Sequence, residues 1–483
     1  MFQSQLIIGG EAGAPEGAPV FERRGPGSGA VVTRAAAAGA PEAERAAASA
    51  ARAFVGWSET APERRAEILT EAAGLMRARA AEAVAIAADE TGAAESWTRF
   101  NIDIAEQMLR QAATLPAHIR TEDLEGAPPG ERFVLRRRPA GVVLAIAPWN
   151  APVTLATRAV AAPLACGNTV VLKASELCPM THEWVARVLI DAGLPEGALN
   201  FVTNAPDHAE EVVSALIAHP AVRRVNFTGS TRVGREIAVA AARHLKPCLL
   251  ELSGKGTLIV RADADLALAA RAAAHGAFAN QGQVCMSTER ILVDDRVADA
   301  FLDLLAAETE RLQAEHPENG RLGALVSPGA TARLMALVED AIARGARLVT
   351  GGGGLDTMLQ PTVIDRVAPG MRLYAEEAFG PIVGVTRVGD DDEAQALAND
   401  TEFGLVASVF SRDTARAEAM LAAIDTGLGH VNRSTVHDHP ALPFGGVKAS
   451  GYGRFGGLEA IREFTEIQAM TTTAPEEGAA QPT

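Results

Sequence analysis

The sequence predicts an α/β protein with two mostly parallel sheets, each covered by helices on both faces. Three observations predict it. Short apolar strands alternate with helical segments from about 142 to 251. A second alternating series runs from about 257 to 430, and a long stretch of helical spacing precedes both. Strands that alternate with helices pair in parallel, and both faces of such a sheet are then buried.

The elements follow in order. Residues 1–40 are rich in Gly, Ala and Pro and read as a surface wrap with a short strand at Leu6–Ile8. From 41 to 118, Ala-rich stretches carry Glu and Arg three and four residues apart, as in PERRAEILTEAAGLMRARAAEAVAIAADE, the spacing of helix faces. Pro128 and Gly130 mark a turn, and Phe133 and Leu135 alternate along a strand, Arg132–Arg137. Strands then fall at Val142–Ala147, Thr169–Lys173, Leu199–Val202, Arg224–Phe227 and Cys248–Glu251, with helices over 153–164, 181–192, 207–218 and 231–243. In the second series the clearest elements are helices over 266–279, 297–312 and 413–423, and strands at Arg290–Val293, 381–387 and 405–410. The tail, ending APEEGAAQPT, reads as disordered.

Composition narrows the function. The formal charge of −16 repels a phosphate backbone, so no nucleic-acid partner is expected. No apolar run reaches the ~20 residues that span a bilayer, so no membrane partner is expected either. Cys166, Cys178, Cys248 and Cys285 are 12, 70 and 37 residues apart, which matches neither a metal-binding pair nor a disulfide framework. No metal is expected, and a reducing, cytoplasmic setting fits. Lysine occurs only at 173, 246, 255 and 448. A bias towards arginine codons explains the scarcity, but three of the four fall inside the motifs below.

A lone cysteine is most often a small buried hydrophobe. Cys285 differs because it follows Asn280, Gln281, Gly282 and Gln283 in GAFANQGQVCMSTER (276–290), polar and flexible neighbours for a core residue. Gly229 and Gly234, with Ser230 between them, mark a strand-to-helix turn in FTGSTRVG. Alone this is either an ordinary cap or a helix start that offers free N–H groups to an anion.

Together with APWNAP (147–152), VLKASE (171–176), ELSGK (251–255), EEAFGP (376–381) and PFGGVKASGYGRFGG (443–457), these segments resemble the aldehyde dehydrogenase superfamily, in the family's order over roughly residues 130–470. The resemblance implies a Rossmann-like coenzyme domain (1–120 and 139–250) and an α/β catalytic domain (251–445). It also implies a β oligomerisation arm (121–138 and 460–475) before a disordered tail (476–483), and a homodimer or homotetramer. Cys285 resembles the nucleophile that attacks the aldehyde, because a thiolate is the reactive form. Asn150 and the Cys285 N–H resemble the donors to the resulting oxyanion. Glu251 resembles the base that activates water against the thioester, and relatives that acylate coenzyme A commonly lack it. The coenzyme is implied to meet Trp149, Gly229, Ser230, Gly234, Glu377 and Phe379, with Lys173 and Glu176 at the adenosine ribose. Glu176 would accept both ribose hydroxyls and repel a 2′-phosphate, which favours NAD over NADP; alternatively it caps a turn and decides nothing.

STVHDHPALPFGG (434–446) and NQGQVCMSTERI (280–291) are similar to the bacterial branch acting on salicylaldehyde, vanillin and benzaldehyde. Arg158, eight residues after Asn150, is implied to line the aldehyde tunnel and to meet a phenolate or hydroxyl, or to stack on the ring; otherwise it is a surface arginine. Met286, Met180, Tyr452 and His437 are further tunnel candidates. Ser253 stands where the family has glycine, with strain expected if that position needs positive φ. Gly256 and Thr257 also depart from its pattern. An aliphatic or carboxylate-bearing aldehyde remains the rival substrate, and a non-catalytic binding protein the rival of another class.

Overall fold

The computed structural model describes residues 1–13, 19–314 and 322–473. The expected disordered tail, 476–483, lies outside them. The described residues among the first 36 carry five short strands: Phe2–Ser4 (β1), Leu6–Ile8 (β2), Glu11–Gly13 (β3), Val20–Arg24 (β4) and Val31–Ala36 (β5). Only β2 was expected. β1 and β3, three residues each, are too short to show an alternating pattern, and β4 and β5, five and six residues long, lie in a stretch whose Gly, Ala and Pro content reads as loop. Leu6 and Ile7 are buried because β2 extends the main sheet.

Four helices follow, Ala40–Glu59 (α1), Pro62–Ala78 (α2), Ala80–Thr91 (α3) and Glu95–Thr114 (α4). Next come Thr121–Leu124 (β6) and Glu131–Pro139 (β7). β7 pairs antiparallel along its whole length with the C-terminal strand Thr465–Thr473, and with β6 on its other edge. These three strands form the arm.

The first main sheet contains Val142–Ile146 (β8), Thr169–Lys173 (β9), Leu199–Val202 (β10), Val222–Thr228 (β11) and Cys248–Glu251 (β12). They lie in the order β12-β11-β8-β9-β10, all parallel. β2 and β3 add antiparallel at one edge, and the two-residue strand Gly451–Tyr452 adds antiparallel to β12 at the other. Every residue of β8 and β9 is buried, as their unbroken apolar runs require. Among the covering helices are Pro152–Ala165 (α5), Pro179–Asp191 (α6), Ala209–Ala218 (α7) and Thr231–Arg243 (α8). All of α5 is buried, which its sequence PVTLATRAVAAPLA, apolar almost all round, dictates.

The second sheet has seven strands. Gly256–Val260 (β13) and Thr288–Asp294 (β14) are central, flanked by Ile382–Val388 and Val406–Phe410 in parallel. Leu266–Phe278 (α9) crosses from β13 to β14 and packs on both.

Candidate active site

Chain direction places the site. In an open parallel sheet, ligands bind beyond the carboxyl ends of the strands, where the connections diverge to opposite sides. Here the chain runs from β8 outward to β9 and β10, then returns to build β11 and β12 on the other side of β8. Trp149 and Asn150 follow β8, Lys173 ends β9, Gly229 and Ser230 follow β11, and Glu251 ends β12. The fold therefore brings these residues to one edge of one sheet. Cys285 comes from the other domain, on the turn that leads into β14.

A cleft of about 280 Å³ opens there, lined by Trp149, Asn150, Gly229, Ser230, Glu251, Ser253, Cys285, Glu377 and Phe379, among others. The loop before Cys285 has three consecutive residues in the left-handed region, Asn280 (φ 48°), Gln281 (φ 55°) and Gly282 (φ 67°). A Cβ on Gly282 would stand 2.2 Å from the Gly380 carbonyl oxygen, so glycine is required there. For Gln281 the conformation is strained, and such strain persists where the surroundings impose it. The Asn280 amide donates to the Asn150 carbonyl at 2.9 Å, and Trp97 Nε1 donates to the same oxygen at 3.0 Å. The Asn150 amide in turn donates to the Gln283 carbonyl at 3.0 Å. An amide nitrogen has two protons, so one of them is left for a further acceptor.

Glu251 is fully buried, and neither carboxyl oxygen has a hydrogen bond of normal geometry. Burial pushes it up to about 7; Asp438 adds to the rise, while Arg158, the Cys285 thiol and the Thr228 hydroxyl oppose it. Burial, then Glu251 beside it, holds the Cys285 thiol well above its ordinary value, against a smaller pull from Arg158. A poised carboxylate thus faces a thiol that does not ionise unaided.

Gly229 N–H donates to the Glu251 carbonyl at 3.0 Å. Ser230 caps α8, its hydroxyl accepting from Val233 N–H at 3.4 Å. Gly234 acts through packing, since a Cβ there would stand 2.4 Å from Leu252 Cδ2, and it lets α8 close on the sheet. Trp149 and Phe379 meet edge to face, with ring centroids 5.9 Å apart. Glu377 accepts from Gly254 N–H at 2.9 Å. Burial and then Glu289 push Glu377 up to about 7, against Ser253, Gly254 N–H and Lys255. Lys173, buried, lies 3.4 Å from Glu176. A carboxylate on the wall beside two aromatic rings, glycine and serine at a helix start, and a lysine–glutamate pair at and just beyond the end of β9 suit a nicotinamide dinucleotide. The donors and acceptors present fit that group.

Arg158 is buried and forms an ion pair with Asp438, each side chain 6% exposed. Its guanidinium lies 4.0 Å from the Phe444 ring centroid. Arg158 is therefore not a surface arginine. Asp438 was missed from the sequence because it is 280 residues away, and nothing local in VHDHP sets it apart from its histidines. Arg158, Asp438 and Phe444 line one small pocket with Met108, Leu115 and Phe455. Met286 is buried, packed in the same core as part-buried Met180 and Cys285. His437 lies 3.0 Å from Arg433 Nη1, its ring 5.4 Å from that of His430. Tyr452 is not brought to the site: it is 51% exposed at the sheet edge and pairs with Leu250. Ser253 is not strained, because it is not among the positive-φ residues. Its hydroxyl instead accepts from Thr231 N–H at 3.4 Å, and its carbonyl accepts from Ser450 at 2.7 Å.

The aldehyde dehydrogenase family model matches residues 14–470. The chain belongs to that family. Among this dehydrogenase's relatives, vanillin dehydrogenase of Pseudomonas fluorescens is 51% identical, with 98% of each chain covered. Salicylaldehyde dehydrogenase of Pseudomonas putida is 43% identical over 93% of this chain and 94% of that one. The crystal structure of salicylaldehyde dehydrogenase from Pseudomonas putida G7, complexed with salicylaldehyde, superposes with a TM-score of 0.96. It is 41% identical and covers 99% of this chain and 100% of its own. No helix among the described residues is long and apolar enough to cross a membrane.

Proposed function

We propose that this aldehyde dehydrogenase oxidises an aromatic aldehyde of the salicylaldehyde, vanillin or benzaldehyde type to the carboxylic acid, with NAD as coenzyme. The carrying observation is the Arg158–Asp438 pair, buried on Phe444, with both members acting on Glu251 and Arg158 acting on Cys285. A carboxylate-bearing semialdehyde needs an uncompensated cation, and here Asp438 cancels the arginine's charge. A neutral ring with a hydroxyl group suits the pair, the aromatic lining and the named relatives better. The same cancellation argues against a phenolate and for a neutral phenol.

The geometry supports the following chemistry. Glu251 takes the Cys285 proton, and the thiolate adds to the carbonyl carbon. The oxyanion of the thiohemiacetal is met by the free proton of the Asn150 amide and by the Cys285 N–H. Trp149, Lys173, Glu176, Gly229, Ser230, Glu377 and Phe379 would hold NAD, which would supply the hydride acceptor. Glu251 gives that first proton to bulk water, and its carboxylate then takes a proton from the water that attacks the thioester on Cys285; collapse expels the Cys285 sulfur, which takes this second proton back from Glu251. The acid departs and Cys285 is regenerated. Glu176 beside Lys173 supports NAD over NADP. The arm supports a homodimer, or a homotetramer, which light scattering separates. Four free thiols fit a reducing compartment such as the cytoplasm.

The test is kcat/KM for salicylaldehyde, vanillin, benzaldehyde, hexanal and succinate semialdehyde with NAD and NADP, alongside Cys285→Ala. Ring aldehydes leading with NAD, and no turnover in the variant, is the expected outcome. Succinate semialdehyde leading would overturn the substrate reading.

A further inference from the structure

Residues 376–381 carry Glu377 and Phe379 into the cleft without any regular secondary structure of their own. Their backbone groups need partners all the same. Ala378 N–H and Phe379 N–H donate to the two oxygens of Glu289, at 2.7 and 2.8 Å. Lys255 Nζ donates to Glu289 at 2.7 Å and to the Glu376 carbonyl at 2.5 Å. The Lys255 and Glu289 side chains are 0% and 3% exposed. Arg333 donates to the Glu377 and Ala378 carbonyls from the outer side. Phe379 itself has φ 47°, a conformation that a phenylalanine keeps only where its surroundings impose it.

A buried ion pair is a poor source of stability, because desolvation offsets the attraction. A buried carboxylate that clamps two consecutive amides has a better physical role as a template. We propose that the Lys255–Glu289 pair is a positioning device for the coenzyme, holding residues 376–379 so that the Glu377 carboxylate and the Phe379 ring are preset before the dinucleotide arrives. This joins three motifs, ELSGK, MSTER and EEAFGP, in one task. It rests on reading the cleft as the coenzyme site. Neither residue of the pair touches the reacting atoms.

The charge of Glu289 also acts on Glu377. The charged or titratable groups that face the Glu377 carboxylate are Glu289, Lys255 and the Cys285 thiol; Arg333 reaches its backbone carbonyl, and Glu376 is beside it in the chain. Glu289 raises Glu377, so neutralising Glu289 lowers it. The pH at which coenzyme affinity falls off on acidification then moves downward, and a merely structural loss leaves it in place.

The experiment compares wild type with Glu289→Gln. NADH binding is read by quenching of tryptophan fluorescence across pH 5.5–8.5, amide exchange at 376–380 by mass spectrometry, and KM separately for NAD and aldehyde. The expected result is an NADH Kd and a KM for NAD raised about tenfold, with the aldehyde KM changed less than about threefold. Faster exchange confined to 376–380 and a lower pH midpoint complete it. Unchanged NADH affinity and exchange in the folded variant overturn the proposal. So does a general loosening with both KM values raised and the midpoint unmoved. If wild type itself binds no NADH, the cleft reading fails first, a separate result. Should Glu289→Gln not fold, Lys255→Met/Glu289→Gln leaves no buried unpaired charge, and the same rise in NADH Kd is required of it.

Discussion

Asp438→Ala takes one partner from a pair whose two side chains are each 6% exposed. The guanidinium of Arg158 is then a buried charge without a counter-ion. Breaking such a pair costs about 3–5 kcal/mol. The stacking on Phe444 survives the change and offsets none of the difference. Asp438→Asn keeps a carbonyl acceptor, and a hydrogen bond to a charged group returns about 1.5–3 kcal/mol, leaving a net loss of about 2 kcal/mol. At about 2–4 °C per kcal/mol for a 150–250-residue domain, Tm falls by roughly 10 °C for alanine and about 5 °C for asparagine. Calorimetry reads both. Two catalytic consequences accompany them. Asp438 helps to raise Glu251, so its removal lowers Glu251 below about 7 and moves the acid limb of the rate profile to lower pH. The freed cation also favours a carboxylate, so kcat/KM for succinate semialdehyde rises about tenfold while that for benzaldehyde falls. A variant with wild-type Tm, an unmoved acid limb and no gain on the semialdehyde would refute the account of the pair.

Glu251→Gln lowers steady-state turnover by about 10²–10⁴-fold and slows the first NADH burst. Raising the pH lets Cys285 ionise alone and restores the burst but not the turnover; recovery of both removes Glu251 as the base for water. In wild type, Glu251 is ionised above about 7, so turnover falls roughly tenfold per pH unit below it; a flat profile between pH 5 and 7 contradicts this. Ser253→Gly frees Thr231 N–H and removes a group that lowers Glu377. Glu377 then rises further, and KM for NAD at pH 7 increases by about threefold, as loss of a bond worth about 0.5–1.5 kcal/mol implies; an unchanged KM shows the hydroxyl to be idle. Glu176→Ala raises the NADP/NAD ratio of kcat/KM by about tenfold, which parallel assays check.

Some of this was legible in the sequence because the information is local. The apolar runs of β8 and β9 and the Ala-rich helices announce the first sheet. Cys285, Asn150 and Glu251 stand in short motifs that resemble the family's, and the fold gathers all three at one cleft. What was not legible depends on distant pairing. Asp438 and Glu289 gain their meaning from Arg158 and from residues 376–379, and no spacing rule links them. The strain expected at Ser253 assumed that glycine serves there by its φ, whereas the structure keeps an ordinary φ and uses the hydroxyl. Tyr452 was a tunnel candidate; pairing of Gly451 with Glu251 and of Tyr452 with Leu250 leaves its ring half in solvent.

That same two-residue strand bears on how the enzyme is made. Glu251 ends β12, whose inner edge is covered by β11 early in the chain and whose outer edge, among the described residues, is covered only by Gly451–Tyr452. Synthesis runs from the N-terminus, and domains close as their parts emerge. The sheet carrying Glu251 therefore stays open along one side until nearly the whole polypeptide has left the ribosome. Cys285, Glu377 and Phe379 are translated within that interval, so a chain released before residue 451 has neither a finished sheet nor a finished cleft.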